Sequence, residues 1–327
     1  MDLFTHILVA YLVTFGIVGF QPSYLAAGAL AGGLPDADAL FFPLARRFPI
    51  LRHHGITHSL TGITIIAVAG AIVAPMIAPG SPWIYFLVMW VGGLCHVLQD
   101  AFTNFSVPPF LPWSKREVHL DADRAINFAT LIVSVLSFYL LLGVERNHVP
   151  FAWYLLTVYL LMAFFAAYFA IRIAGRLRVG AVARALGDYP AVVPTGDPFA
   201  WVLLSETAHD GRVRTTWARY RLGRGIVDGP NAVEAPIEAP PHAGNPTSAD
   251  EALSWSYGIA RKASRVIAST YHFGEAFVSA AGDWVAVWYS LEFTAFGRSS
   301  AVRVTFPAGG APPVVKSAFY RPRHPAF

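Results

Sequence analysis

The stretch SLTGITIIAVAGAIVAPMIAPGSPWIYFLVMWVGGLC, residues 59–95, contains no charged residue and no histidine. A helix needs about 20 mainly apolar residues to cross the hydrocarbon core of a membrane, so this run is long enough for two helices. The segment PGSP at 79–82 combines the residue types that favour a turn. The stretch therefore predicts a hairpin of two membrane-spanning helices.

The composition of the whole chain agrees with this interpretation. Of 327 residues, 55% are hydrophobic and 13% are charged, and the mean hydropathy is +0.49. Soluble globular proteins carry about 25% charged residues. The net charge of +4 suits contact with anionic lipid headgroups, and no nucleic-acid partner is needed to explain it. The single cysteine, Cys95, excludes an internal disulfide and a cage of thiolate ligands.

Three further runs without Asp, Glu, Lys or Arg extend the pattern, at 3–35, 125–144 and 149–171. The first run is also long enough for two helices, and GFQP at 19–22 marks the turn between them. We predict a mainly α-helical membrane protein with about six transmembrane helices, at 3–20, 23–42, 57–78, 83–103, 124–143 and 150–172.

The distribution of Lys and Arg predicts the orientation, because these residues concentrate in cytoplasmic loops. With six spans, alternate loops share one side of the membrane, and the opposite side holds only Arg146. The basic residues on the richer side are Arg46, Arg47, Arg52, Lys115, Arg116, Arg124, Arg172, Arg176, Arg178 and Arg184. We therefore expect a multi-pass protein of the inner (plasma) membrane with both termini in the cytoplasm.

The C-terminal part has a different composition. Segments at 199–208, 213–222, 284–296 and 300–306 are rich in Val, Thr and aromatic residues, which is typical of strands. We expect two domains, a transmembrane domain at 1–180 and a small β-rich cytoplasmic domain at 185–327.

Two further segments of this domain have clear patterns. A Pro-rich loop is expected at 228–246, and a helix at 249–267 with Ser248 as N-cap and Glu251 three residues later. His272 lacks a partner pattern, and we expect it at the surface.

Span 2 places charge at an unusual depth. Residues 23–34 precede Pro35 and give about 18 Å of helix at 1.5 Å per residue. That is shorter than the ~30 Å hydrocarbon core. Asp36 and Asp38 are thus expected below the headgroup level, where ionisable groups mark function.

The predicted topology also brings a set of His and Asp residues to one face of the membrane. Within this set, His96 and Asp100 are four residues apart and share a helix face, as do His54 and His58. Imidazole and carboxylate ligands suit Zn²⁺, Mn²⁺ or Fe²⁺ better than Ca²⁺ or Mg²⁺. The set comprises His6, Asp36, Asp38, His53, His54, His58, His96, Asp100, Asp121 and Asp123, of which we interpret the last two as caps of span 5.

Four motifs in this order carry a resemblance to a known family. They are TH at 5–6, LPDADALF at 34–41, HHGITHSL at 53–60 and HVLQDAFT at 96–103. Together they resemble the LexA-regulated, membrane-bound metal-dependent hydrolase family over roughly residues 1–180, in its longer members with a C-terminal β-rich tail. The resemblance implies a metal-ligand set of His6, Asp36, Asp38, His53, His58, His96 and Asp100.

The chain departs from the family pattern at two places. His54 stands where the family usually has Arg, which leaves open whether His53 or His54 is the ligand. Phe105 and Ser106 stand where Tyr-Gly is usual, close to Asp100.

The resemblance implies a hydrolase that uses a divalent metal, with Zn²⁺ as the expected ion and Mn²⁺ as the alternative. Asp38 and His53 are the expected catalytic residues, and a phosphoester of a lipid or a small molecule is the expected substrate. The residues expected to bind this substrate are Arg52, His54, Lys115 and Arg116. One alternative is a metal-binding protein or metal transporter without hydrolase activity. Another is a structural protein whose tail binds a partner.

Overall fold

A computed structural model describes residues 1–41, 55–124, 127–146, 150–187, 189–236, 245–264, 267, 272–295 and 298–320. These residues form two compact units. The first contains Met1–Leu177 and Pro194–Phe199, and the second contains Arg178–Val193 and Ala200–Phe327.

Helices build the first unit. In the described part of this unit, 3₁₀ helices at Leu34–Phe41 and Ile56–His58 interrupt the series. The α-helices are α1 (Leu3–Val18), α2 (Pro22–Gly33), α3 (Leu60–Ile77), α4 (Pro82–Phe102), α5 (Phe128–Arg146) and α6 (Phe151–Leu186).

Local sequence signals fix the helix starts. The side chain of Asp2 accepts a hydrogen bond from the Thr5 amide and caps α1, and Ser59 caps α3 through the Gly62 amide. Pro22 and Pro82 occupy the first turns of α2 and α4, where the missing N–H costs nothing. Helix α2 ends at Gly33, as expected from Pro35, so the predicted span 23–42 is not one continuous α-helix, and the 3₁₀ helix Leu34–Phe41 follows.

Among the described residues, three helices are long and apolar enough to cross a membrane: α3, α4 and α6. Helix α1 and the segment Phe128–Leu141 are apolar but shorter. Large apolar side chains of these helices point outward, with Met76 and Tyr139 each 81% exposed. An outer surface of this kind is suited to lipid. The structure thus supports membrane helices, with three long candidate spans where the sequence predicts about six.

Glycines let the helices of the first unit approach closely. A Cβ added at Gly92 of α4 would lie 2.3 Å from the carbonyl oxygen of Gly28 on α2. One added at Gly32 of α2 would lie 2.4 Å from the Cβ of Ala10 on α1. Backbones at such distances pack tightly in apolar surroundings, where small residues favour helix association.

Strands build most of the second unit. One four-stranded sheet has the order β1-β2-β3-β4 and the other β5-β6-β7-β8, and helix α7 (Ala249–Ala263) lies between them in sequence. The strands are β1 (Ala191–Pro194), β2 (Ala200–His209), β3 (Arg212–Arg221), β4 (Gly225–Pro236), β5 (His272–Val278), β6 (Trp284–Ala295), β7 (Arg298–Phe306) and β8 (Val314–Tyr320).

Strand β6 is buried on both faces, and this arranges the second unit in layers. Ala286 and Trp288 pack with α7, while Val285 and Val287 pack with Leu204 and other residues of the first sheet. Alternate residues of a strand point to opposite faces, so β6 serves two cores at once. The opposite face of the first sheet packs on Val179 and Ala183, in the C-terminal part of α6 that belongs to the second unit.

The sequence predictions for this unit have mixed outcomes. The four predicted strands correspond to β2, β3, β6 and β7, and Ser248 caps α7 through the Glu251 amide as predicted. The predicted loop at 228–246 is wrong for its first half, because β4 continues through Pro230. The prediction for His272 is also wrong, since this residue is buried beside Tyr257 and Trp288.

Candidate metal centre

Four side chains converge at one end of the first unit. Asp36 comes from the 3₁₀ helix that follows α2, and His58 ends the 3₁₀ helix that precedes α3. His96 and Asp100 lie one turn apart in the last turns of α4. The ends of these elements meet here because α3 and α4 form a hairpin and α2 packs against α4.

The ligand atoms of Asp36, His58, His96 and Asp100 all lie within 4.8 Å of one another. Asp100 Oδ2 lies 3.3 Å from His96 Nε2 and 3.5 Å from His58 Nε2. Asp36 Oδ1 lies 3.5 Å from His58 Nε2 and 3.6 Å from His96 Nε2. Two imidazole nitrogens and two carboxylate oxygens therefore point toward a common centre.

The burial of this group tests whether it fits a cation. His58, His96 and Asp100 are buried, whereas the side chain of Asp36 is 22% exposed. Within the part of the chain that the structure describes, His96 Nε2 and Asp100 Oδ2 have no hydrogen-bond partner. Buried polar atoms rarely stay unsatisfied, and a buried carboxylate needs a compensating charge. A divalent cation would satisfy both needs, so the residues present fit a metal.

His6 lies beside this group. Its ring stacks on His96 with the ring centroids 3.9 Å apart, and its Nε2 lies 3.1 Å from Asp100 Oδ1. The main-chain nitrogen of Met1 contacts the same oxygen. The two oxygens of Asp100 thus have different neighbours: Oδ2 faces His58 and His96, and Oδ1 faces His6.

Asp38 lies on the other side of His58. Its Oδ2 is 3.3 Å from His58 Nδ1, and its side chain is almost fully buried. The Nε2 of the same ring, which is the candidate ligand atom, faces Asp36 and Asp100.

Of the predicted substrate-binding residues, the structure describes only Lys115 and Arg116, which are not part of this group. Arg52, His53 and His54 lie outside the described residues, so the choice between the two histidines stays open. Lys115 and Arg116 are exposed on the loop that follows α4.

A second buried polar cluster was not expected from the sequence. Asp123 Oδ1 pairs with Arg172 Nη2 at 3.1 Å, and both side chains are fully buried. Tyr168 and Asn127 also donate hydrogen bonds to the Asp123 carboxylate. Asp123 therefore does not cap α5, whereas Asn127 does so through the Ala129 amide. The only sequence signal was an aspartate beside a membrane helix and an arginine at the end of another.

One of three comparisons with known proteins found a match, and it covers most of the first unit. Searches of the curated proteins and of the solved structures found no significant match. The family model described as YdjM inner membrane protein matches residues 1–175, which include all four converging residues. That family is LexA-regulated, as the motif resemblance implies. The chain therefore belongs to the YdjM inner membrane protein family.

Proposed function

We propose that this protein is an integral-membrane, metal-dependent hydrolase that acts on a phosphoester, with a lipid as the preferred substrate. The observation that carries the proposal is the convergence of Asp36, His58, His96 and Asp100 at one end of a helical unit. Zn²⁺ is the expected ion and Mn²⁺ the alternative, because two imidazoles and two carboxylates suit both.

The donor set favours a reactive site over a purely structural one. Closed structural zinc sites are dominated by thiolates, and the chain has one cysteine, Cys95. A divalent ion in such a site supplies Lewis-acid chemistry and lowers the pKa of a coordinated water toward about 7. Asp36 is the most exposed of the four residues, so a substrate would approach from its side.

The position of the site suits a substrate in the membrane. His6 lies near the start of α1, His58 before α3, and His96 and Asp100 near the end of α4. All are close to helix ends, where lipid headgroups lie, and the exposed Lys115 and Arg116 are on the adjoining loop. Basic side chains at that level would attract a phosphate.

In the proposed topology the protein crosses the membrane six times. Both termini and the candidate site then lie at the cytoplasmic face. The bias of Lys and Arg supports it. In a Cys95→Ser background, Lys115→Cys should be protected from an impermeant thiol reagent added to intact cells, and Pro79→Cys should react. The reverse labelling would contradict this orientation.

A direct test combines metal analysis with a substrate screen. The protein, purified in detergent, should contain a divalent metal and hydrolyse one or more phosphodiesters or phospholipids, and a chelator should abolish turnover. His96→Ala should lose both metal and turnover, whereas the matched variant His119→Ala, at an exposed loop histidine, should keep both. Full metal occupancy without turnover on any ester would contradict the hydrolase proposal.

The alternative is a metal transporter or a metal-binding protein without hydrolase activity. Transporters place their sites near the bilayer midplane, often between inverted repeats. The position of this group at helix ends favours the enzyme instead. Metal uptake into proteoliposomes that depends on His96 would favour transport.

A further inference from the structure

We propose that Asp38 and Thr57 act as a positioning pair that fixes one tautomer of His58 and thereby aims its Nε2 at the metal. Neither residue would be a metal ligand in this arrangement. The inference rests on the proposed function, because it concerns how that site holds its ion.

The hydrogen bonds of Thr57 have a definite direction. Its hydroxyl Oγ1 lies 2.6 Å from Asp38 Oδ2 and 3.0 Å from His58 Nδ1. An ionised carboxylate can only accept, so the one hydroxyl proton goes to Asp38. The hydroxyl oxygen then accepts from His58 Nδ1, which must carry a proton.

Asp38 reinforces the same assignment. Its Oδ2 lies 3.3 Å from His58 Nδ1 and favours a proton on that nitrogen. A neutral imidazole with a proton on Nδ1 has its lone pair on Nε2. That Nε2 lies 3.5 Å from both Asp36 Oδ1 and Asp100 Oδ2. The lone pair therefore faces the other ligand atoms.

His96 reaches the same tautomer through a different partner. Its Nδ1 lies 2.8 Å from the carbonyl oxygen of Gly32, which can only accept a hydrogen bond. Its Nε2 is thus also the ligand nitrogen. Metal-binding histidines commonly donate their other N–H to a carboxylate or a carbonyl, and this contact fixes the ring and raises its basicity.

The geometry also separates Asp38 from the ligands. Oδ2 of Asp38 is on the Nδ1 side of the His58 ring, and Asp36 and Asp100 are on the Nε2 side. Asp38 Oδ2, which contacts Thr57 Oγ1 and His58 Nδ1, therefore orients the ring from the side opposite to Nε2. Thr57 and Asp38 therefore act together on the ring of His58.

The test measures Co²⁺ binding to the full chain in detergent, by affinity and by visible spectrum. Thr57→Val keeps the side-chain shape but removes the hydroxyl, and it should weaken Co²⁺ binding about 10–100-fold, the usual effect of losing such a partner. Thr57→Ser restores the hydroxyl and should restore the affinity. Asp38→Ala should weaken binding similarly but leave the spectrum of the saturated site unchanged, whereas Asp36→Ala should change the spectrum.

The tautomer can be read directly. In NMR spectra of protein labelled with ¹⁵N-histidine, the Zn²⁺-loaded wild type should show a protonated Nδ1 and a metal-bound Nε2 for His58. Thr57→Val should change these two nitrogen signals. If Thr57→Val does not fold stably, the Co²⁺ binding of Asp38→Ala and the ¹⁵N spectrum of the wild type still test the inference.

Three outcomes would overturn the inference. Unchanged Co²⁺ affinity in Thr57→Val, or an altered spectrum of the saturated site in Asp38→Ala, overturns it and leaves the metal-dependent hydrolase standing. Absence of metal binding in the wild type overturns both proposals. Metal binding with the expected variant effects but no hydrolysis supports the positioning pair and contradicts only the proposed function.

Discussion

Asp123 Oδ1 and Arg172 Nη2 lie 3.1 Å apart inside the helical unit, with both side chains fully buried. The pair joins the chain just before α5 to α6, and Arg172 also donates from Nη1 to the carbonyl oxygen of Asp197 at 3.2 Å. Backbone contacts join Asp123 to Phe102, the last residue of α4, and to its C-cap Thr103. The helix that carries His96 and Asp100 is therefore anchored to α6 through this pair.

Asp123→Ala should destabilise the protein strongly. The change would leave the Arg172 guanidinium buried without its carboxylate, and breaking a buried pair typically costs about 3–5 kcal/mol. The double variant Asp123→Ala/Arg172→Met should recover part of the loss, because no unpaired charge remains. Thermal unfolding in detergent measures both.

The control for this prediction is Arg176→Ala, one turn further along α6. Arg176 is partly exposed and lies 3.9 Å from Asp121, so its loss should change stability by only about 0.5 kcal/mol. Equal effects of Asp123→Ala and Arg176→Ala would show that the buried pair has no special role.

Gly92→Ala should separate α2 from α4. The added Cβ would lie 2.3 Å from the carbonyl oxygen of Gly28, and a backbone oxygen cannot move aside alone. Overpacking of this kind costs about 1–3 kcal/mol. A shift of α2 also moves the Gly32 carbonyl that holds His96 Nδ1, so we expect both a lower unfolding temperature and weaker metal binding.

Gly16→Ala is the matched control for that substitution. Its added Cβ would lie 3.6 Å from Met162 Cε, an ordinary contact, and Ala is the better helix former. This variant should keep wild-type metal affinity and equal or greater stability. Weaker metal binding in Gly16→Ala would mean that metal binding is sensitive to any added methyl group.

Metal should stabilise the folded state. A ligand that binds only the folded state at 100 times its dissociation constant contributes about 2.7 kcal/mol. Added Zn²⁺ should therefore raise the unfolding temperature of wild type and of His119→Ala, and a chelator should lower it. Removing a ligand through Asp100→Ala should abolish the response, and a persistent response would place the metal elsewhere.

The cap of α7 should depend on pH. Hydrogen bonds from the backbone N–H and the hydroxyl of Thr247 to the Glu251 carboxylate lower its pKa below the ordinary value of 4.5. A depressed folded pKa stabilises the native state above the unfolded pKa, and this stabilisation is lost as the pH falls through the folded value. Glu251→Gln should therefore reduce the acid sensitivity of the α7 amides in hydrogen exchange.

Ser248→Ala should weaken the same helix at every pH, by about 1 kcal/mol, because Ser248 Oγ accepts from the Glu251 amide. An acid sensitivity in Glu251→Gln equal to that of wild type would show that this carboxylate does not contribute. The two variants thus separate the hydroxyl from the charge.

Features that depend on residues close together in the chain could be predicted from the sequence. Apolar runs, turn residues and caps predicted the helices, since a helix end depends on residues within a few positions, as at Pro35 and Ser248. Residue type and spacing also brought out His58, His96 and Asp100 as metal-ligand candidates. The alternation in β2 and β6 predicted strands for the same reason.

Contacts between distant segments could not be predicted and became visible in the folded protein. In the fold, Asp38 lies on the Nδ1 side of His58 and Asp36 on the Nε2 side. The two aspartates are two positions apart in the sequence, which does not distinguish these roles. The fold also pairs Asp123 with Arg172, which sequence rules interpret as a cap and a cytoplasmic charge. Strand β4 tolerates Pro230, because β4 is an edge strand and Pro230 lies at the shift in its register with β3. Burial and pairing depend on residues far apart in the chain, and those contacts exist only once the helices and sheets have packed.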